Sequence, residues 1–534
     1  MKKIAPFIVL AFAVWMLNSL FQPGWYMTHD GIFHIRRASE MYEMLRLGYF
    51  PVRWGLTLDN GYGVPLFNYI YPLPYYLAAL LHFLGIGIPT ALKLITIFSF
   101  SLGGVGWYLL LRKINLGLSL TLALIYLMTP YQLVNIFVRG SIGETIALGI
   151  APWILLMNER VLRLGLRWYT PLPIFFLLIS HNFAGILISL AVLTNILFSN
   201  RNISGKKSLL KNFSLGVLLA SFFLVPMLFE QNLLLSTASK NYSFSYKDHF
   251  VYPLQLLYSK WDYWYSMPGT ENDGMTFQLG FANLFLLFFV FLISIKKRIR
   301  PKPFLVICAF SLFMTTHWSK FIWDRIVVLA PLQFPWRLLI LSTVLLPATV
   351  LDYSSHLKKI PARNFFFSFL IVLAIINTRN YKTPMKFLSS DEFQTLSALY
   401  VDKTTTSYRG EIVPVWSRVE KWQRDVIRVS SGSVQVTTSN PGDISFVLES
   451  KDPQVVTIEK NFSPQWKGSV DGQYIELTPN ESGEITLTSQ AGKHAYRVYL
   501  SSTPLESASN ILSLAGVALL IFTLLKNKQS SLLK

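Results

Sequence analysis

The segment Met27-Thr28-His29-Asp30-Gly31-Ile32-Phe33-His34 sets a carboxylate and an imidazole four residues apart, leading into the amphipathic run RRASEMYEMLRLGYF. On a helix that spacing brings Asp30 and His34 to one face. Such a pair can take a proton from an acceptor hydroxyl or share a divalent metal. Asp30 also stands where an N-cap is expected, its side chain accepting a backbone N–H while His34 is solvated. The two readings are compatible, and both stand at this point. A second acid, Glu144, follows Arg139-Gly140-Ser141-Ile142-Gly143 and falls in the first turn of an apolar segment. There it either complements the helix dipole, worth about 0.3–1 kcal/mol, or is a buried carboxylate that binds substrate or metal opposite Asp30. The catalytic candidates are Asp30, Glu144 and His34, and the same three are the candidate metal ligands.

Around them stand residues that can bind rather than react. His181-Asn182 marks a hairpin between two short apolar runs; a histidine there is either a satisfied polar residue or a substrate contact. Trp261 and Trp264, interleaved with Tyr263, Tyr265, Lys260 and Asp262, offer flat faces with polar edges that suit a sugar. The same composition describes an interfacial aromatic belt. Asp248-His249 is a weaker addition. Arg139 and Arg337, the latter in Gln333-Phe334-Pro335-Trp336-Arg337, can hold a lipid phosphate through a forked guanidinium contact, or snorkel to lipid headgroups.

The elements that must position these residues are read from composition. The 534-residue chain is 52% hydrophobic and only 14% charged, with a formal net charge of +20. That excludes an ordinary soluble enzyme and a disordered chain. The basic residues punctuate apolar runs, so nucleic acid is not the expected partner; the bilayer is. The single Cys308 excludes a disulfide scaffold. A crossing helix needs roughly 20 apolar residues. Twelve segments qualify as candidates: 4–22, 91–111, 114–134, 141–158, 168–180, 183–198, 209–229, 277–295, 303–319, 336–352, 364–378 and 507–525. The first reads as an uncleaved span. The basic loops at Lys2-Lys3, Arg112-Lys113, Arg160–Arg167, Arg201–Lys211, Lys296–Arg300 and Lys358–Arg363 are expected in the cytoplasm. They share one side only if residues 66–88, rich in Pro and Tyr, rest at the outer interface as a juxtamembrane or re-entrant segment.

From about residue 380 to 505 the pattern changes. Runs such as SVQVTTS, DISFVLES, QVVTIEKNF, YIELTP, EITLTSQ and HAYRVYL alternate with period two, and Asn440-Pro441-Gly442-Asp443 and Asp471-Gly472 mark turns. The expected architecture is a polytopic α-helical membrane protein, with a transmembrane domain over 1–378, a small extracytoplasmic β-sandwich-like domain over 379–505, and a last helix with cytoplasmic tail over 506–534. Residues that would mark a Walker A loop, a dinucleotide GxGxxG, an HExxH or a GxSxG elbow are absent from the sequence. Without an ATP site, an outward-facing transferase needs an activated substrate carried in the membrane.

The stretches THDGIFHIRR and FPVRWGLTLDNGYGVPLFNYIYPLPYYLAALLHFLG, with QFPWRLL, YRGEIVPVW and NFSPQWKGSVDGQ, resemble the membrane protein family named after a "6-pyruvoyl-tetrahydropterin synthase-related" domain, over nearly the whole chain. The zinc-histidine pattern of the soluble synthase is not visible, so the family name does not imply pterin chemistry. The family is similar in layout to the GT-C glycosyltransferase superfamily, polytopic enzymes that use polyprenyl-phosphate sugars. That resemblance puts Asp30 at the acidic position of the first outer loop and Glu144 at the second acidic position. His181-Asn182 falls where many relatives have a Lys-Gly turn, a departure that weakens a role carried over to it. The expectation is a plasma-membrane glycosyltransferase moving a sugar from a polyprenyl-phosphate donor to an envelope glycan, lipid or protein. The alternative is a non-catalytic transporter or assembly scaffold for envelope polysaccharide. A transporter should spread charge through mid-membrane helices, whereas here the acids gather toward one face.

Overall fold

Glycine and serine at helical spacing let the two central helices of the bundle touch. The structure, a computed structural model, describes residues 3–236, 245–267, 274–357, 363–401, 412–418 and 425–532. Helix Ile88–Leu111 packs along helix Ile142–Leu164. A Cβ on Gly149 would stand 2.3 Å from the Ser99 carbonyl oxygen, so only glycine permits this approach. Small residues at such a crossing are how helices gain dispersion contacts in an apolar medium.

Among the described residues, five helices are long and apolar enough to cross a membrane: Ile88–Leu111, Leu116–Arg139, Ile142–Leu164, Pro335–Asp352 and Pro504–Gln529. A sixth crossing results if Ile203–Leu219 and Ser221–Phe229, bent by 74° at Ala220, count as one. The twelve crossings expected from hydropathy are therefore corrected to five or six candidates. The rest of the apolar runs form shorter helices. Ala5–Met16 has 12 residues, Asn182–Phe198 has 17 and Pro303–Thr315 has 13. The run 168–180 yields only Leu172–Leu178, because the chain enters it through Pro171 and leaves it into the cap His181. Within 66–88 the longest helix is Leu73–Phe83, 11 residues. At 1.5 Å per residue it reaches about 16 Å, half the hydrocarbon thickness.

The last helix, Pro504–Leu532, lies against Ile203–Leu219 and Ser221–Phe229. It leaves Ile511, Leu514 and Phe522 more than 60% exposed, an apolar face of the kind a bilayer covers. Before it comes the β-domain, in which β1 (Ile427–Arg428), β4 (Val455–Asn461), β8 (Glu484–Thr488) and β7 (Thr478–Pro479) form one sheet in that order. The second sheet runs β2 (Ser433–Asn440), β3 (Asp443–Ser450), β9 (Gly492–Leu500), β5 (Trp466–Val470) and β6 (Gln473–Ile475). All pairings are antiparallel. In β3 and β9 the inward residues Ile444, Phe446, Leu448, Tyr496 and Val498 are buried at alternate positions, as the period-two pattern requires, whereas β8 is buried at four consecutive positions. Both expected turns occur, and Asp471-Gly472 joins β5 to β6 with positive φ at both residues.

The domain is seated on the loop between helices Gly31–Arg46 and Leu73–Phe83. Asn461 donates to the Asp59 carboxylate (2.7 Å) and the Gly63 carbonyl (2.8 Å), and Tyr49 donates to Asn440 (3.0 Å). Lys460 donates to the carbonyls of Leu56 and Gly61, and its burial there pulls the ammonium pKa down to about 8. Beside it, Arg53 bonds Asn68 (2.7 Å) and Asn510 (2.8 Å), and Asn68 bonds Glu506 (2.6 Å). One buried polar network thus ties the first loop to the last helix.

Candidate functional site

Two backbone bonds start the site. His29 N–H donates to the Val138 carbonyl and Asp30 N–H to the Arg139 carbonyl, each at 3.0 Å. They dock the loop after Phe21 onto Asn135–Arg139, where the helix widens into a π turn. Such turns recur at functional sites because they re-aim one side chain. Gly140 then reverses the chain at φ +69°, and a Cβ there would lie 2.4 Å from Thr28 Oγ1.

The re-aimed side chain is Arg139. Its guanidinium grips Glu144 with both forks, Nη1 to Oε2 at 2.9 Å and Nη2 to Oε1 at 2.8 Å. It also bonds Asn135 Oδ1 and lies over the Trp336 ring, 4.6 Å from its centroid. Tyr131 donates to the same carboxylate at 2.9 Å, and His181 Nε2 stands 3.7 Å from it. Glu144 is 2% exposed. It therefore lies behind Arg139, with its charge consumed, rather than on the cavity wall.

Asp30 behaves differently. It occupies the N-cap position of helix Gly31–Arg46, yet its side chain makes no capping hydrogen bond. Among the described residues its carboxylate accepts none at all. It faces a cavity of about 250 Å³ that His29, His34, Arg37, Tyr71, Arg139, Tyr265 and Arg337 also line. Asp30 lies within electrostatic reach of Arg37, Arg139 and Arg337. Arg337 donates to the Leu332 carbonyl (2.9 Å) and stacks on Phe334 (4.7 Å), but has no carboxylate partner among the described residues. Arg139 is paired with Glu144, whereas the Arg337 guanidinium has no such partner among the described residues and can take an anion from the cavity.

The sequence-derived candidates separate on this geometry. Asp30, His34, Arg139 and Arg337 come together on the cavity wall. Glu144 reaches it only through Arg139. His181 caps helix Asn182–Phe198 by accepting from Ala184 N–H (3.2 Å) and stacks on Tyr71, while Asn182 donates to the Tyr69 carbonyl (2.6 Å). Neither lines the cavity. Trp261 stacks on Tyr381 at 4.2 Å and Trp264 is 61% exposed, so both lie outside as well. The loop contributes Tyr265 instead, stacked on His29 at 4.4 Å, together with His249. As for metal, no three His, Cys, Asp or Glu side chains among the described residues gather as a ligand set. The trio Asp30, His34 and Glu144 is not one, because Arg139 and Tyr131 occupy the Glu144 carboxylate.

His34 Nδ1 lies 2.9 Å from the Tyr75 hydroxyl, to which Arg37 also donates at 3.2 Å. Burial, with the charges of Arg37 and His181 beside it, holds the His34 imidazole well below its ordinary pKa. It is neutral at pH 7. Arg37 is the residue missed in the sequence; it sits seven positions after Asp30 and three after His34, on the same helical face, and that spacing was its signal.

Residues 67–383 match the 6-pyruvoyl-tetrahydropterin synthase related domain, a membrane protein family. The chain belongs to this family. A search of curated proteins finds no match. The region shared with the family holds Tyr71, Arg139, Glu144, His181 and Arg337. It begins after Asp30 and His34 and ends before the β-domain, so the match is narrower than the nearly whole-chain resemblance read from the sequence blocks. Of those blocks, residues 408–411 of YRGEIVPVW lie outside the described residues.

Proposed function

We propose that the chain is a membrane glycosyltransferase of GT-C type, which moves a sugar from a polyprenyl-phosphate donor to an envelope acceptor at the outer face of the plasma membrane. The observation that carries this reading is Asp30, whose carboxylate accepts no hydrogen bond among the described residues, on the wall of a cavity that Arg139 and Arg337 also line. In the reaction, the acceptor O–H proton passes to the Asp30 carboxylate as the acceptor oxygen bonds the anomeric carbon. The bond from that carbon to the phosphate oxygen breaks, and the electron pair leaves with the lipid phosphate. Arg337 and Arg139 supply guanidinium donors for that phosphate, where charge develops. Glu144 is a positioning residue that holds the Arg139 fork. A cavity near 250 Å³ suits a phosphosugar head with the polyprenyl tail left in lipid, since pockets for whole drug-sized ligands run about 300–1,000 Å³.

The test incubates purified protein with radiolabelled polyprenyl-phosphate hexoses and pentoses and a panel of envelope acceptors. Transfer by the wild type, reduced roughly 10²-fold in Asp30→Asn, the usual scale for a lost general base, supports the reading. Equal transfer by a folded Asp30→Asn protein overturns the role of Asp30. No transfer from any donor leaves the transferase reading without support.

A further inference from the structure

A second cavity, of about 630 Å³, lies among the far ends of helices Asn182–Phe198 and Leu339–Asp352 and the start of Pro303–Thr315. Two of these helices measure its distance from the Asp30 site. Asn182–Phe198 begins beside His181 and Glu144 and ends here after 17 residues. Pro335–Asp352 begins at Arg337 and ends here after 18 residues. At 1.5 Å per residue both give roughly 25 Å, close to the thickness of a hydrocarbon layer. The two cavities therefore lie near opposite ends of the helix bundle.

The walls of this cavity divide chemically. Arg201, Arg300 and Lys302 line it against a single carboxylate, Asp352. None of the three cations forms an ion pair among the described residues; the one side-chain bond among them runs from Arg201 to Ser199 Oγ at 2.9 Å. Beside the cations stand Phe198, 73% exposed, and Val306, 52% exposed. A soluble anion would satisfy the cations and leave those side chains bare. A phospholipid satisfies both, with phosphate on the cations and the first acyl methylenes on Phe198 and Val306.

We propose that this groove binds the phosphate headgroup of an anionic membrane lipid, in the leaflet opposite the Asp30 site. The claim is independent of sugar transfer, because it rests on other residues at the other end of the bundle.

The experiment reconstitutes the full chain with equimolar phosphatidylglycerol and phosphatidylcholine, extracts it in mild detergent, and counts retained lipids by native mass spectrometry. Phosphatidylglycerol should be retained over phosphatidylcholine about a hundredfold, as three nearby cations each contributing about fivefold imply. The combined variant Arg201→Gln, Arg300→Gln, Lys302→Gln should lose that preference. Lys207→Gln, Lys211→Gln, Lys297→Gln removes equal charge from the same end of the bundle but outside the cavity, and should keep it. Should the first triple variant unfold, Lys302→Gln alone should lower the ratio about fivefold. Equal loss in both triple variants would reduce the effect to general surface charge and overturn the site. Equal retention of both lipids would also overturn it. Displacement of the lipid by about 10 mM inorganic phosphate would reassign the groove to a free anion.

Discussion

Replacing Asp30 by Asn removes a charge that no described hydrogen bond holds in place, so the folded state should lose no more than a few tenths of a kcal/mol. Replacing Glu144 by Gln removes the carboxylate from a buried fork with Arg139 at 2.8 and 2.9 Å, leaving an uncompensated guanidinium. Breaking such a pair costs about 3–5 kcal/mol. Thermal unfolding in detergent should therefore show Glu144→Gln strongly destabilised and Asp30→Asn unchanged; the reverse order would mean that Asp30 is the structural acid. His34 gives a pH signature. Its folded pKa is depressed by burial first and by Arg37 and His181 next, whereas in the unfolded chain it titrates near 6.5. Below about pH 6.5 the unfolded state thus binds the extra proton, and stability falls with pH until the folded pKa is reached. Above that window His34 contributes no slope. The melting temperature should drop between pH 7 and 5, and His34→Gln should flatten part of that drop; identical slopes in both proteins would show that His34 is not held neutral.

At the scale of elements, two joints carry the site. The first is the π turn Asn135–Arg139 with Gly140 behind it. Gly140→Ala places a methyl 2.4 Å from Thr28 Oγ1 and imposes φ +69° on an L residue. The loop bearing His29 and Asp30 should lift off, so transfer should fall at least tenfold while the bundle helices persist by circular dichroism. Wild-type transfer by Gly140→Ala would separate that loop from catalysis. The second joint is Asn461, which bonds Asp59 and Gly63. Asn461→Ala should open the loop–domain contact to protease without unfolding the β-sheets, and unchanged proteolysis would remove the joint. These joints also explain what the sequence could convey. Asp30, His34, Arg139 and Arg337 were legible because chemistry-bearing residues at apolar boundaries are unusual. The engagement of Glu144 by Arg139 was not, because it depends on a π turn that has no pattern in composition. The aromatic loop was legible as a loop, but which ring enters the cavity is decided by His29 stacking on Tyr265 rather than by Trp261 or Trp264.

For the whole molecule, hydropathy recorded the amount of apolar surface but not helix continuity. A run of apolar residues becomes a crossing only where no cap, proline or bend interrupts it. The bend at Ala220 interrupts the run 209–229, and Pro171 helps shorten the run 168–180 to Leu172–Leu178. The β-domain escaped this ambiguity because each strand needs only a few alternating residues, although β5, with Gly468 in its centre, was absent from the alternating runs. With fewer full-length helices than expected, orientation becomes the property that most constrains function. The basic loops predict that Lys206 and Lys297 face the cytoplasm, while Lys260 and Asp471 lie outside with the Asp30 cavity. Cys308 is the single cysteine and is buried, so Cys308→Ser gives a clean background for cysteine scanning. A membrane-impermeant maleimide applied to intact cells should label cysteines placed at Lys260 and Asp471, and label those at Lys206 and Lys297 only after lysis. Asn461 and Tyr49 tie the β-domain to the loop that follows Asp30, and Tyr265, from the loop that carries Lys260, stacks on His29 beside Asp30, so labels at Asp471 and Lys260 must agree with each other. Labelling of Lys297 in intact cells together with protection of Asp471 would invert the molecule, put the Asp30 cavity in the cytoplasm, and remove the outer-face transferase.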